Sequence, residues 1–496
     1  MTATNTYSNK LYTELAKDLF LYGLLTGLTG LVGLILLPIF TRIFSQAEYG
    51  IIEIVAVAAN LITVVACLSL ESAVVRYLPQ IKDAAERKIY FSTILVVVIA
   101  VAVFLFLLCF ILSEHISSLL FKDGQYALLI TLSVAAAAIA AISGVVQMAL
   151  RVERKIFYFN ALNIIHILLY GVVSLLLHYY LHLGVSSVFY GLLTAEVIRL
   201  LWGLTLTRHL FSKRLSREDL KISLKFSLPL LPAVLATCVN NQLSRFVVLF
   251  FIGLSGVAIF GATAKIALII VLLTSAFSQA WTPYALSLLD MSVESRDLFY
   301  RNILSYYMAG FLSLGLLIVA LSPELFKVLI PVEYYSGYLL VPWIIGAFII
   351  RASGSITAIG VLISEKTIAN PIAAWIGTVI NITVGITLAH FFGIVGVVIG
   401  IFIAEIAFTA TLWFFTAKHT AIRFNIRIFA ASIICYIFTS IALLLITQHL
   451  QDDPALYVLK FILLVIAASV LFFISTDKTS RRTFFSTIRD LPKTYF

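Results

Sequence analysis

Residues 223–284 read SLKFSLPLLPAVLATCVNNQLSRFVVLFFIGLSGVAIFGATAKIALIIVLLTSAFSQAWTPY, and this stretch decides the fold. Two long apolar runs flank a turn at Gly253–Gly256. A helix of about 20 apolar residues spans the hydrocarbon layer of a bilayer. Pro229 and Pro232 open the first helix, Asn240, Asn241, Gln242 and Arg245 follow in its later half, and Lys265 lies on the second. Fixed charge in hydrocarbon is expensive and is tolerated where it faces water or an anion. The stretch therefore predicts two membrane helices that share a polar, positively charged wall.

The rest of the chain is built the same way. It is 61% hydrophobic and 12% charged over 496 residues, with a mean hydropathy of +1.07. That composition excludes a soluble domain, and unbroken apolar runs exclude the short alternating segments of a membrane β-barrel. The expected class is an all-α polytopic membrane protein. Taking the chain in order, candidate spans lie near 18–40, 50–72, 89–112, 126–149, 160–180, 185–207, 226–252, 256–281, 302–321, 338–363, 368–390, 393–416, 427–447 and 455–475. That is about fourteen transmembrane helices. The first 17 residues are polar, and the apolar run behind them is too long for a cleaved signal, so it reads as a retained span.

Charge orients the spans. With the N-terminus in the cytoplasm, the cytoplasmic segments carry 26 of the 34 Lys and Arg residues, against three in the opposite loops: Arg42, Lys122 and Lys327. Such a bias follows the positive-inside rule, makes the protein multi-pass and puts both termini in the cytoplasm. The net charge of +10 is spread over alternate short loops, so it is topological and implies no nucleic-acid partner. The four cysteines lie inside apolar runs with no Cys/His cluster, and no Gly-rich phosphate loop is present. No disulfide, metal or cofactor is expected, and neither is enzymatic chemistry.

The most basic connector, 208–225, separates an N-terminal lobe (1–207, six spans) from a C-terminal lobe (226–416, six spans). Residues 417–496 add two spans and a basic tail. The lobes share a pattern. Gly184, Gly191, Ala195 and Glu196 recur at the same spacing as Gly393, Gly400, Ala404 and Glu405, and the AEYG of Ala47–Gly50 matches the AIFG of Ala258–Gly261. Two parallel six-helix repeats predict a pseudo-twofold pair of lobes around a central cavity, a common transporter design.

The intramembrane charges are the candidate functional residues. Arg245 and Lys265 fall in the outer half, and Arg351 lies near mid-membrane. They either line an anion-receptive cavity, with Asn240, Asn241 and Gln242 beside Arg245, or form buried ion pairs with the few deep acids: Glu53, Glu71, Glu196 and Glu405. Glu196 and Glu405 are either coupling sites for a proton or sodium ion or partners of nearby cations such as Arg199. Lys460, near a span end, is expected to snorkel toward the headgroups. Arg42 and Arg76 complete the candidates.

LPIFTRIFSQAEYG at Leu37–Gly50, Arg76-Tyr77-Leu78-Pro79, FSLPLLP at 226–232, SRFVV at 244–248, FGATAKIA at 260–267 and FSQAWTPYAL at 277–286 carry a wider likeness. Through them the whole chain resembles the polysaccharide transporter (O-antigen flippase) family of the multidrug/oligosaccharidyl-lipid/polysaccharide superfamily. The resemblance implies a two-lobed flippase of the bacterial inner membrane. It would move undecaprenyl-pyrophosphate-linked oligosaccharides outward by alternating access, alongside glycan polymerase and assembly proteins. Members usually carry an acid just before the Arg of the seventh span; Ser244 stands there, so Arg245 is expected to lack its local counter-charge. The alternatives are a peptidoglycan-precursor flippase, a multidrug exporter of the same superfamily and, from another class, a polymerase or non-transporting component of a glycan assembly complex.

Overall fold

The computed structural model describes residues 32–288, 292–364, 366, 368–420, 422–449 and 455–476. Among these residues there is no strand, and almost all are helical. The helices are α1 (Val32–Ile43), α2 (Gln46–Cys67), α3 (Leu70–Tyr77), α4 (Ala84–Ile111), α5 (Ser113–Phe121), α6 (Ala127–Val152), α7 (Ile156–Leu181) and α8 (Ser186–Thr207). They continue as α9 (Arg217–Ser227), α10 (Leu231–Phe251), α11 (Leu254–Ser287), α12 (Val293–Leu329), α13 (Val341–Thr357), α14 (Ile359–Ile363), α15 (Ala369–His419), α16 (Ile426–His449) and α17 (Ala455–Ser475). Eleven described helices are long and apolar enough to cross a membrane, or twelve if the bent pair α9–α10 is one span. The protein is a multi-pass membrane protein.

Each expected span from 50–72 onward has a helical counterpart. The first, 18–40, lies outside the described residues except for its end in α1, so the count of fourteen stays an expectation. Two spans differ in detail. The run 226–252 does not form one straight helix, because Pro229 and Pro232 remove backbone donors at its start. α9 ends at Ser227, α10 begins at Leu231, and the two bend by 48°. The second difference is α15, whose 51 residues would run roughly 75 Å if straight, more than twice a bilayer's hydrocarbon thickness. At Gly393 the backbone leaves the helix (φ 56°, ψ −135°), which divides α15 into arms matching 368–390 and 393–416.

The chain forms two compact units, one ending at Gly261 and the other beginning at Ala262. In the first unit α6 is central, packed on α2, α4 and α8, while α7 lies against α8 and α10 against α2. Its core joins Leu70, Val74, Phe91, Ile94, Val98, Ala141 and Val145. In the second unit α12 packs on α13, α16 and α17, and α13 on α15. The boundary falls inside α11, past the connector 208–225, because α10 and the start of α11 pack on α2. A Cβ on Gly50 would collide with the carbonyl of Leu254, so that glycine is required for the approach.

The repeated pattern has a geometric meaning in each unit. Gly184 and Gly393 both adopt left-handed backbone, with φ of 54° and 56°, at the turn before the helix. Glycine reaches that region without the Cβ penalty. Gly191 then lets α8 meet α7, since its Cβ would lie 2.8 Å from the Ser174 nitrogen. Gly400 does the same between the arms of α15, where a Cβ would lie 2.6 Å from the Gly385 Cα. Ala195 and Ala404 are fully buried, and the acid after each is buried too.

Candidate functional site

α10 carries the polar wall of the first unit. Its apolar faces would suit lipid, but one face turns Gln242 and Arg245 toward α2, where Glu53 is buried. Arg245 Nε lies 3.3 Å from Glu53 Oε2, and Nη1 donates to Gln242 Oε1 at 2.9 Å. The guanidinium also faces the Phe260 ring at 5.5 Å, a favourable cation–π distance. Glu53 fits because position 261 is glycine, whose Cβ would stand 2.7 Å from the carboxylate.

The expectation that Ser244 leaves Arg245 without a counter-charge is therefore corrected. The acid comes from another helix, 192 positions away, and Ser244 is simply buried. Beside the ion pair, Asn60, Val64, Ala233, Val234, Thr237, Cys238 and Gln242 line an open pocket of about 430 Å³. The Cys238 thiol donates to Asn60 Oδ1 at 3.3 Å. Asn60 and Thr237 stand outside the sequence candidates, and their one signal is an Asn in an otherwise apolar run. Asn240 is buried on the same helix, and the side chain of Asn241 lies outside the described residues.

In the second unit, Arg351 on α13 donates through Nη1 to both oxygens of Glu405 on α15, at 2.9 and 3.1 Å. Glu405 is 5% exposed, and Phe408 faces the guanidinium at 4.8 Å. Glu196, the counterpart of Glu405 in the first unit, pairs differently. Arg199 Nη2 lies 2.6 Å from its Oε2, and His166 Nε2 lies 3.1 Å from Oε1. Position i+3 from the acid holds Arg199 in one repeat and Phe408 in the other. In the second unit the cation comes instead from a neighbouring helix. Lys265 is half-buried on α11.

The remaining candidates scatter. Glu71 accepts from the Cys67 thiol at 3.1 Å and presses against Gly144, just past a break where Leu68 and Ser69 are both left-handed. Arg76 is exposed and lies over Phe226 at 4.4 Å; Arg42 is exposed. Lys460 does not snorkel. It is 4% exposed and donates to the Ala320 carbonyl and to Glu324 Oε1, both at 2.9 Å. Pro323 lies inside α12 between these two acceptors; the carbonyl it leaves without its helical donor is that of Val319, which Ser322 Oγ bonds at 2.7 Å. Among the described residues no cluster of His, Cys, Asp or Glu could hold a metal.

Charge pairs buried between apolar helices cost desolvation and repay it only through close contact. Such pairs are also places where a charged ligand can compete for one partner, which gives the arrangement a chemical use beyond stability.

Comparison with known proteins returns a consistent group. A family model described as polysaccharide biosynthesis protein matches residues 15–288, more than half of the chain. Among solved structures, a lipid II flippase MurJ in an inward closed conformation aligns over 94% of this chain and 100% of its own, at 14% identity and a TM-score of 0.72. An inward-facing multidrug resistance MATE family transporter of the MOP superfamily aligns over 81% of this chain and 94% of its own, at 18% identity and a TM-score of 0.66. A Vibrio cholerae MATE transporter aligns over 82% and 97%, at 16% identity and a TM-score of 0.56. No curated protein matches the sequence. At these identities the likeness defines the fold, which is that of the MurJ and MATE proteins.

Proposed function

This chain belongs to the polysaccharide biosynthesis protein family, and from that premise we propose that it is a flippase. Its substrate is an undecaprenyl-pyrophosphate-linked oligosaccharide, an O-antigen, capsule or exopolysaccharide repeat unit. It carries this from the cytoplasmic to the outer leaflet of the bacterial inner membrane by alternating access between two six-helix lobes. Both termini are cytoplasmic, in keeping with the distribution of Lys and Arg over alternate connectors.

The observation that carries the reading is the Arg245–Glu53 pair beside Gln242, at the pocket between α2 and α10 that Asn60, Thr237 and Gln242 help to line. An arginine fork matches phosphate oxygens, while Asn and Gln side chains suit sugar hydroxyls. A pyrophosphate arriving at Arg245 competes with Glu53 for the guanidinium. The Arg351–Glu405 pair offers the same exchange in the second unit. Lys265 adds positive charge, and Asn240 and Asn241 extend the polar face. Glu196 and Glu405 are the coupling candidates for a proton or sodium ion. The membrane potential adds a drive of ~2.3 kcal/mol per charge per 100 mV moved outward.

The test is translocation of defined undecaprenyl-pyrophosphate-linked sugars in proteoliposomes. Arg245→Gln, Lys265→Gln and Arg351→Gln are each expected to lower the rate per molecule of reconstituted protein. Wild-type rates in all three would overturn the reading. The near-complete alignment with a lipid II flippase favours one second reading, transport of a peptidoglycan precursor. Including lipid II among the substrates separates the two.

A further inference from the structure

Three connectors of the first unit, 73–88, 150–159 and 208–225, meet at one end of its helices. They border an open surface pocket of about 520 Å³ lined by Pro79, Arg87, Val152, Glu153, Arg154, Lys155 and His209. That volume is in the range of ligand-sized pockets. Three permanent cations and one imidazole face a single carboxylate there. Lys155 Nζ lies 2.8 Å from Glu153 Oε2, and His209 Nε2 lies 2.6 Å from Glu153 Oε1. The acid thus occupies two of the basic groups and leaves the charge of Arg87 and Arg154 in excess. Among the described residues the Nε of Arg87 is buried without a hydrogen-bond partner, which is costly for a charged group unless something else supplies the acceptor.

The backbone points the same way. α6 ends in a tight turn in which Arg154 N bonds Arg151 O at 3.1 Å and Lys155 N bonds Leu150 O at 2.9 Å. Arg154 occupies the left-handed position of this turn, at φ 57°. Glycine is the unstrained residue for such a helix ending, and a side chain there costs about 1 kcal/mol or more. An arginine held in that conformation buys nothing for the turn itself. Its side chain instead lines the pocket together with Arg87 and Lys155.

We propose that this pocket is a binding site for a phosphate group. Arginine forks and a lysine suit phosphate oxygens, and the ends of α4, α6 and α8 bring these groups to the edge of the apolar spans, where lipid headgroups lie. The phosphate belongs to an anionic phospholipid or to a soluble phosphate compound, and Glu153 is the counter-ion that it displaces.

The test uses the full-length protein, delipidated in detergent, and reads the thermal unfolding midpoint during titration. The probes are phosphatidylglycerol, phosphatidylcholine and inorganic phosphate. Phosphatidylglycerol is expected to raise the midpoint saturably and phosphatidylcholine not to. In R87Q/R154Q the dissociation constant for the active probe should rise roughly tenfold or more, the loss expected for charge-assisted hydrogen bonds. R154G guards against misfolding: glycine suits the left-handed turn, so the ligand-free midpoint should hold or rise while the response to phosphatidylglycerol weakens. A response to inorganic phosphate that the same variants weaken would assign the site to a soluble compound. No saturable response in the wild type, or equal responses in wild type and both variants, would overturn the proposal.

Discussion

Arg351 donates through one terminal nitrogen to both carboxylate oxygens of Glu405, at 2.9 and 3.1 Å, while Phe408 covers the guanidinium face. Removing one member strands the other between apolar helices. Glu405→Gln is expected to destabilise the second unit by about 2–3 kcal/mol, below the ~3–5 kcal/mol typical of broken buried pairs because the Arg351 side chain is 26% exposed. Arg351→Gln combined with Glu405→Gln should recover much of that loss. Denaturation midpoints of the four proteins in detergent measure the coupling, and additive losses would show that the two side chains do not act as a pair.

The glycines of the repeated pattern separate conformational cost from steric cost. Among the described residues nothing lies within 4 Å of a Cβ added at Gly184 or Gly393, so Gly393→Ala should cost only the positive-φ backbone, on the order of 1–3 kcal/mol. Gly400→Ala meets the Gly385 backbone at 2.6 Å and should cost more, with Gly191→Ala behaving likewise against Ser174. Thermal midpoints in detergent rank the variants, and the reverse order would contradict the assigned close approaches.

Lys460 is held by the Ala320 carbonyl and Glu324 beside the proline of α12. Lys460→Met leaves the Glu324 carboxylate without this cation and Ala320 without this donor. A loss of about 3 kcal/mol is expected, and Lys460→Met with Glu324→Gln should lose less. A snorkelling lysine would tolerate methionine at almost no cost, so the same midpoint measurement distinguishes the two roles.

At the end of α6, burial pushes the Glu153 carboxyl up, but hydrogen bonds and charge from Lys155 and His209 outweigh it and hold the group below the usual carboxylate range. The sign follows directly. A carboxyl depressed in the folded state contributes stability above its unfolded pKa, about 4.3, and loses it as pH falls through the folded value. Glu153→Gln should therefore flatten the acid limb of the stability profile below about pH 4 while changing its slope above pH 6 little. An unchanged acid limb would show that the carboxylate is not held by its basic neighbours.

Much of the architecture is legible without coordinates, because a bilayer imposes length and composition on every crossing. The apolar runs from 50–72 onward, the prolines at 229 and 232 and the Gly393 turn all follow from local chemistry. The G-x6-G-x3-A-E pattern likewise marks a left-handed turn, a close helix contact and a buried acid in both places. The pairing of charges is of another kind. Glu53 meets Arg245 across 192 positions and Arg351 meets Glu405 across 54, so packing between distant helices chooses the partners. The same pattern position holds Arg199 in one unit and Phe408 in the other, and no spacing rule says that α13 supplies the missing cation. Sequence by itself determined a multi-pass helical protein with charges set inside its spans. Only the tertiary structure decided which acid neutralises which base, since a buried charge takes whatever counter-charge the fold brings within about 3 Å.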